Sequence, residues 1–210
     1  RHNVGGLSET TKMPCFSWSI STSLCNMGSL LADIDGSVCS KCYASKGNYL
    51  WPTTVKAQQR RIDHYLSDNI KWREDMLLLT KYLFSIGEEY FRWFDSGDIQ
   101  SAQMLRDILW ISERSALKFW LPTKEASIVR EHIRTDGIPS NTVVRVSAPM
   151  IGSRKTSDLS TKHEQIADAF VSVEGNDIFQ CPAIATPDTP AKCNDCRACW
   201  DTNSVSYKKI

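Results

Sequence analysis

The chain has 210 residues, 25 Lys and Arg against 24 Asp and Glu, a formal charge of +1, and 41% hydrophobic residues. Such a length buries a substantial core without help from metal or disulfides, and the charge balance excludes the basic excess of a histone-like or ribosomal binder. No apolar run is long enough to span a bilayer and Arg1 to Lys12 lacks the apolar core of an export signal, so the expected setting is a reducing cytoplasm without membrane contact, where cysteine pairs hold metal more often than disulfides.

In chain order, the first fifty residues are rich in Ser, Thr, Gly and Cys and hold one strand-like run, Phe16 to Ile20, with loop expected from there to about Pro52. Cys15, Cys25, Cys39 and Cys42 fall in this stretch. Thr53 or Thr54 can cap a helix whose apolar positions are Val55, Ile62, Tyr65 and Leu66, and a second helical run from Ile70 to Phe84 carries Trp72, Met76, Leu77 and Leu83. The period then shortens. Glu89 to Phe94 reads as a buried aromatic strand entering the turn Asp95-Ser96-Gly97-Asp98, and Ser101 caps a helix with Met104, Leu105, Ile108, Leu109 and Ile111 on its apolar face.

The cycle repeats. Leu117 to Leu121 is a strand leaving through Pro122, Thr123, Lys124 and Glu125, and Ile128, Val129 and Ile133 mark a helix that stops near Gly137. Thr142 to Val146 is the next strand, with Ser147 to Met150 at its exit. A charged linker from Gly152 to Asp158, a helix around Ile166 and a weaker strand at Phe170 to Val173 complete the series. Alternating strands and helices predict an α/β fold with parallel strands, about five in number. The expected architecture is a partial parallel (β/α) barrel over residues 1–175, followed by a cysteine-rich, cluster-binding extension over residues 176–210.

Ligands of parallel α/β folds gather at the carboxyl edge of the strands. Asp95, Ser96, Gly97 and Asp98, then Lys124 and Glu125, then Ser147, are therefore expected on one rim with the loop that carries Cys25, Cys39 and Cys42. Near the other end, Cys193, Cys196 and Cys199 stand at two-residue separations, with Cys181 before Pro182 upstream across eleven intervening residues. C-x2-C-x2-C with a distant Cys-Pro resembles the ligand set of bacterial-type [4Fe–4S] ferredoxins, although there Cys-Pro follows the triplet. Zinc is the alternative occupant. In the first group, Cys25, Cys39 and Cys42 alone leave one iron of a cluster open for chemistry, whereas a fourth thiolate from Cys15 closes the site. The sequence leaves Cys15 open.

Several runs carry a resemblance: Thr11 to Pro14, Val38-Cys39-Ser40-Lys41-Cys42-Tyr43-Ala44, Phe91 to Asp98, Phe119 to Glu125, Val144 to Met150 and Cys193 to Trp200. Over nearly the whole chain these resemble the phage "gene product 88" family. The Cys-Tyr-Ala after CxxC is also similar to phage proteins related to radical S-adenosylmethionine barrels. That similarity implies two [4Fe–4S] clusters, one open at Cys25, Cys39 and Cys42 and one auxiliary at Cys181, Cys193, Cys196 and Cys199. The spacing departs from the usual radical-enzyme loop, C-x3-C-x2-C, being C-x13-C-x2-C here, with Tyr43 after rather than before the last cysteine.

By the same resemblance Asp95, Ser96, Gly97 and Asp98 meet the amine of S-adenosylmethionine, and Arg145 and Ser147 its ribose or carboxylate. Lys124 and Glu125 are the candidates for substrate binding or proton transfer, and a flavodoxin or ferredoxin is the implied reductant. A nucleotide or nucleic-acid substrate fits a phage setting and the basic run Lys56, Arg60 and Arg61, in a host cell's cytoplasm. The rival reading is a non-catalytic phage protein, stabilised by zinc or clusters, that binds nucleic acid or a host protein.

Overall fold

The computed structural model describes residues 4–183 and 192–207. It holds eight strands: β1 (Ser8–Glu9), β2 (Phe16–Trp18), β3 (Tyr90–Trp93), β4 (Lys118–Thr123), β5 (Thr142–Ser147), β6 (Ile166–Val171), β7 (Phe179–Gln180) and β8 (Val205–Tyr207). Five α-helices accompany them: α1 (Asn26–Ala32), α2 (Pro52–Ser67), α3 (Asn69–Ser85), α4 (Ala102–Glu113) and α5 (Ala126–His132). The strands make one sheet in the order β1-β2-β3-β4-β5-β6-β8-β7. Among the strand pairs of the described residues, β1 and β2 run antiparallel and the rest run parallel.

Each main strand alternates in chemistry. Trp18, Phe91, Trp93, Phe119, Leu121, Val144 and Val146 join the main core with Trp72, Met76 and Leu105 from the helices. Their neighbours Arg92, Trp120 and Arg145 point to the opposite face, as a period of two requires. The helix-side core is aromatic: the Trp18 and Trp72 rings are 5.1 Å apart in an edge contact, and Trp93 stacks on Phe119 at 6.1 Å. Each such pair adds about 1 kcal/mol beyond the area it buries.

Helix starts follow local chemistry. Ser101 accepts the amide of Met104 at 3.1 Å and caps α4 as its sequence position predicts. For α2 the first residue is Pro52 rather than one capped by Thr53 or Thr54, since proline's fixed φ suits the first helical turn. Val55 and Leu66, expected on its core side, are exposed; Ile62 and Tyr65 carry the packing. The expected loop before Pro52 contains α1, which buries none of its own side chains and therefore shows no apolar stripe in the sequence.

The larger correction lies after β5. Residues around Ile166 form strand β6 and not a helix, and the crossover before them holds only a short 3-10 turn, Leu159–Thr161. Ile166-Ala167-Asp168-Ala169-Phe170-Val171 buries residues on both faces, and a short run buried on both sides has no clear period. The segment carrying the tail cysteines returns to the sheet: β8 pairs with β6, Ala169 opposite Val205. No helix among the described residues is long and apolar enough to cross a membrane.

Candidate functional site

The rim is built where β2, β3 and β4 end. Phe94 takes a left-handed conformation (φ +54°) while its amide donates to Trp18 O at 2.8 Å. A buried aromatic residue held there costs about 1–3 kcal/mol, so its surroundings over-determine the turn that follows. Asp95 then lies buried, its Oδ1 accepting from Ser17 at 3.1 Å, its Oδ2 from Tyr49 at 3.1 Å, and its amide donating to Ser19 Oγ at 3.0 Å. Its carbonyl accepts from the hydroxyl of Tyr43, the residue after Cys42. Ser96 Oγ donates to Ile20 O and accepts from Gln58, both at 2.8 Å.

Gly97 permits this turn for two reasons. Its φ is +79°, and a Cβ there would stand 2.4 Å from Ile20 Cγ1 and 2.8 Å from Ile20 O. Asp98 next fastens β3 to β4: Oδ1 accepts from Thr123 Oγ1 at 2.6 Å and from Ile99 N at 2.8 Å, and Oδ2 accepts from Lys124 N at 2.8 Å. Burial raises its carboxyl to about 6 in spite of these donors.

The rim thiols stand above this network. Cys25 precedes α1, Cys39 opens a 3-10 turn, Cys39–Lys41, and Cys42 follows it. Gly28 lies beside two of them: a Cβ there would lie 3.5 Å from Cys25 Sγ and 3.7 Å from Cys39 Sγ. Glu125 Oε1 accepts the Met27 amide at 2.8 Å and so ties the start of α1 to the exit of β4. Lys124 Nζ donates to Ala148 O at 3.2 Å, just past Ser147, and its charge faces Cys39, Asp98, Cys42 and Cys25. Burial lowers the Lys124 ammonium's pKa and pushes the Cys25 thiol up to about 12.

Cys15 is not with them. It is buried on the face away from the helices, where Met13, Cys15 and Trp120 pack against Tyr90, Cys193, Cys199, Trp200 and Tyr207. Cys193 N donates to Lys12 O at 2.9 Å, and Cys193 lies in the electrostatic reach of Cys199, Cys181 and Cys196. Cys199 Sγ is 3.3 Å from the Tyr207 hydroxyl.

Arg145 belongs to this second group too. Fully buried, it donates to the carbonyls of Asp168, Ala198, Cys199, Asp201 and Asn203, so its guanidinium fastens the cysteine turn to the sheet instead of reaching the rim with Ser147. Arg92 stands between the groups: it donates to the Tyr43 hydroxyl at 3.1 Å and lies 4.3 Å over the Trp120 ring. Ser17, Ser19, Tyr43, Tyr49 and Arg92 were not among the expected site residues. The signal for three of them was present, since Ser17, Ser19 and Arg92 are the polar members of otherwise apolar alternating strands.

Two thiol neighbourhoods thus emerge, Cys25, Cys39 and Cys42 on the rim and Cys15 with the four tail cysteines on the far face. Among the described residues, no three His, Cys, Asp or Glu side chains draw close enough to hold an ion as they stand. The donors nonetheless fit a thiophilic ion or cluster in kind, and Gly28 puts no side chain beside Cys25 Sγ and Cys39 Sγ. The basic run Lys56, Arg60 and Arg61 is divided. Arg60 and Arg61 donate to the carbonyls of Gly5 and Gly6, and Arg61 is buried.

The family described as Gene product 88 matches residues 4–202. No curated protein and no solved structure matches the chain.

Proposed function

We propose, from the premise that the chain belongs to the gene product 88 family, that it is an iron–sulfur enzyme similar to the radical S-adenosylmethionine kind. Its open cluster is assigned to Cys25, Cys39 and Cys42, and an auxiliary cluster to the tail cysteines. The observation that carries this reading is the separation of Cys15 from the rim, which leaves three thiols where ligands of a parallel sheet gather. The strand order supports it. From β2 to β6 it rises without reversal, so right-handed crossovers put the helices on one face, as in the wall of a partial barrel.

When bound, a three-thiolate cluster supplies an iron for the methionyl amino and carboxylate groups and an electron to cleave S-adenosylmethionine. The chain's own residues do the rest. Asp98 Oδ2 accepts one donor and keeps lone-pair capacity for a second, such as an ammonium. Lys124 uses one of its three donors on Ala148 O and offers the others to a carboxylate or thiolate beside Cys39. Glu125 can take or give a proton through its second oxygen while Oε1 keeps α1 in place. Asp95, Ser96 and Gly97 hold the turn that positions Asp98. A nucleotide or nucleic acid is the proposed substrate class, and a flavodoxin- or ferredoxin-type protein the reductant.

The test is anaerobic reconstitution with iron and sulfide, followed by dithionite reduction with S-adenosylmethionine. Two cubanes per chain are expected, with cleavage that Cys42→Ala abolishes while the far-ultraviolet circular dichroism stays unchanged. A colourless zinc protein, or cleavage that survives Cys42→Ala, overturns the reading.

A further inference from the structure

Cys15 is the one cysteine with no place in either ligand set above, and its surroundings give it one. It is 5% exposed, in the segment just before β2, on the face of the sheet that the helices leave free. The chain just before it is fixed: Cys193 N bonds to Lys12 O at 2.9 Å, and Arg92 Nη1 donates to Met13 Sδ at 2.9 Å. Cys193 and Cys199, together with Trp200 and Tyr207, pack against the cluster it forms with Met13 and Trp120. The tail turn is pressed onto the same spot from the other side, because Arg145 holds the carbonyls of Ala198 and Cys199, and Trp200 Nε1 donates to Phe91 O at 3.0 Å.

Two cations line the same group: Arg92 lies 4.3 Å over the Trp120 ring and Arg197 5.2 Å over the Tyr90 ring. Thiols far apart in the sequence thus meet in one buried group, which is what a thiolate metal site needs.

We propose that Cys15 is a ligand of the tail site, contributed by the body of the sheet. It binds a thiophilic metal, as zinc or as the iron of a cluster, with Cys193 and Cys199 as its nearest partners. The tail site then has five thiols for a centre that takes four, and the metal ties the cysteine turn to β2. This inference rests on the reading of the tail as a metal site, and it does not depend on any reaction at the rim.

The test uses the full chain and Co2+ alone as the probe, under anaerobic conditions, reading the sulfur-to-cobalt charge-transfer band. With Cys25, Cys39 and Cys42 replaced by Ser, only the tail thiols and Cys15 remain. There Cys15→Ser is expected to lower the band and weaken Co2+ binding at least tenfold. With Cys181, Cys193, Cys196 and Cys199 replaced instead, Cys15→Ser is expected to leave Co2+ uptake by the rim unchanged.

An unchanged band in the first background, or a loss in the second, overturns the proposal. No Co2+ uptake in the first background with Cys15 present overturns the tail site itself and this ligand with it. Because Cys15 is buried, a second measurement avoids substitution. A short bifunctional thiol reagent on metal-free wild-type protein should join Cys15 to Cys193 or Cys199 by peptide mass spectrometry, and a link to Cys25, Cys39 or Cys42 overturns the assignment.

Discussion

Cys25, Cys39 and Cys42 face Asp98, Glu125 and Lys124 at the carboxyl edge of the sheet. Cys15, Cys193 and Cys199 lie against Arg92, Arg145 and Arg197 and beside the rings of Trp120 and Trp200. The two neighbourhoods share one sheet, yet they differ in company. Burial raises the thiols of both groups, but the neighbouring charges differ: Asp98 and Glu125 add to the rise at Cys25, whereas Arg92 and Arg197 oppose it at Cys15. The difference also explains their supports: the rim hangs on hydrogen bonds between strand ends, and the tail turn on one buried guanidinium.

That last contrast can be broken most forcibly at Arg145. Replacing it by Met keeps an unbranched stem and leaves five carbonyls without their donor. The expected loss is about 3 kcal/mol or more, read as a lower urea midpoint. Thiol labelling should speed up at Cys193 and Cys199 and stay unchanged at Cys25, Cys39 and Cys42. Equal acceleration at all of them would mean that the two groups are one structural unit.

Gly97→Ala tests the other side with a smaller effect. The new Cβ meets the backbone of Ile20 at a positive φ, so a destabilisation of about 2 kcal/mol is expected, expressed as displacement of the Asp98 turn. Co2+ binding at the rim should weaken, and the tail band should keep its intensity. A variant whose two sites weaken together would show that Gly97 supports the sheet as a whole.

Much of this arrangement was legible in the residues and some was not. The β2 to β5 strands and the rim at Asp95, Asp98, Lys124 and Glu125 follow from alternation and turn chemistry, which are local signals. The destination of Arg145 was not legible. Its position at a strand end resembles a ligand contact, but alternation puts it on the far face, where its partners come from residues 198–203 after a long excursion. Strand β6 was hidden because a run buried on both faces has no period, and α1 because it buries nothing. Cys15 needed the fold as well: only the pairing of β2 between β1 and β3 decides which face its thiol takes.

Gly28→Ala separates folding from ligand binding at the rim and has the smallest expected effect on stability. Inside α1 the substitution gains helix propensity of about 1 kcal/mol. The added methyl stands 2.9 Å from Cys25 Cβ, a contact that Cys25 must yield to, so the net change should stay within about 1 kcal/mol. The same methyl stands 3.5 Å from Cys25 Sγ and 3.7 Å from Cys39 Sγ, where it crowds an ion shared by both sulfurs. Rim Co2+ affinity should therefore fall at least tenfold with a nearly unchanged urea midpoint, while the tail band is untouched. Retained rim affinity would mean that Cys25 and Cys39 do not share a ligand, and the three-thiol centre would then be lost while the structural role of the loop stood.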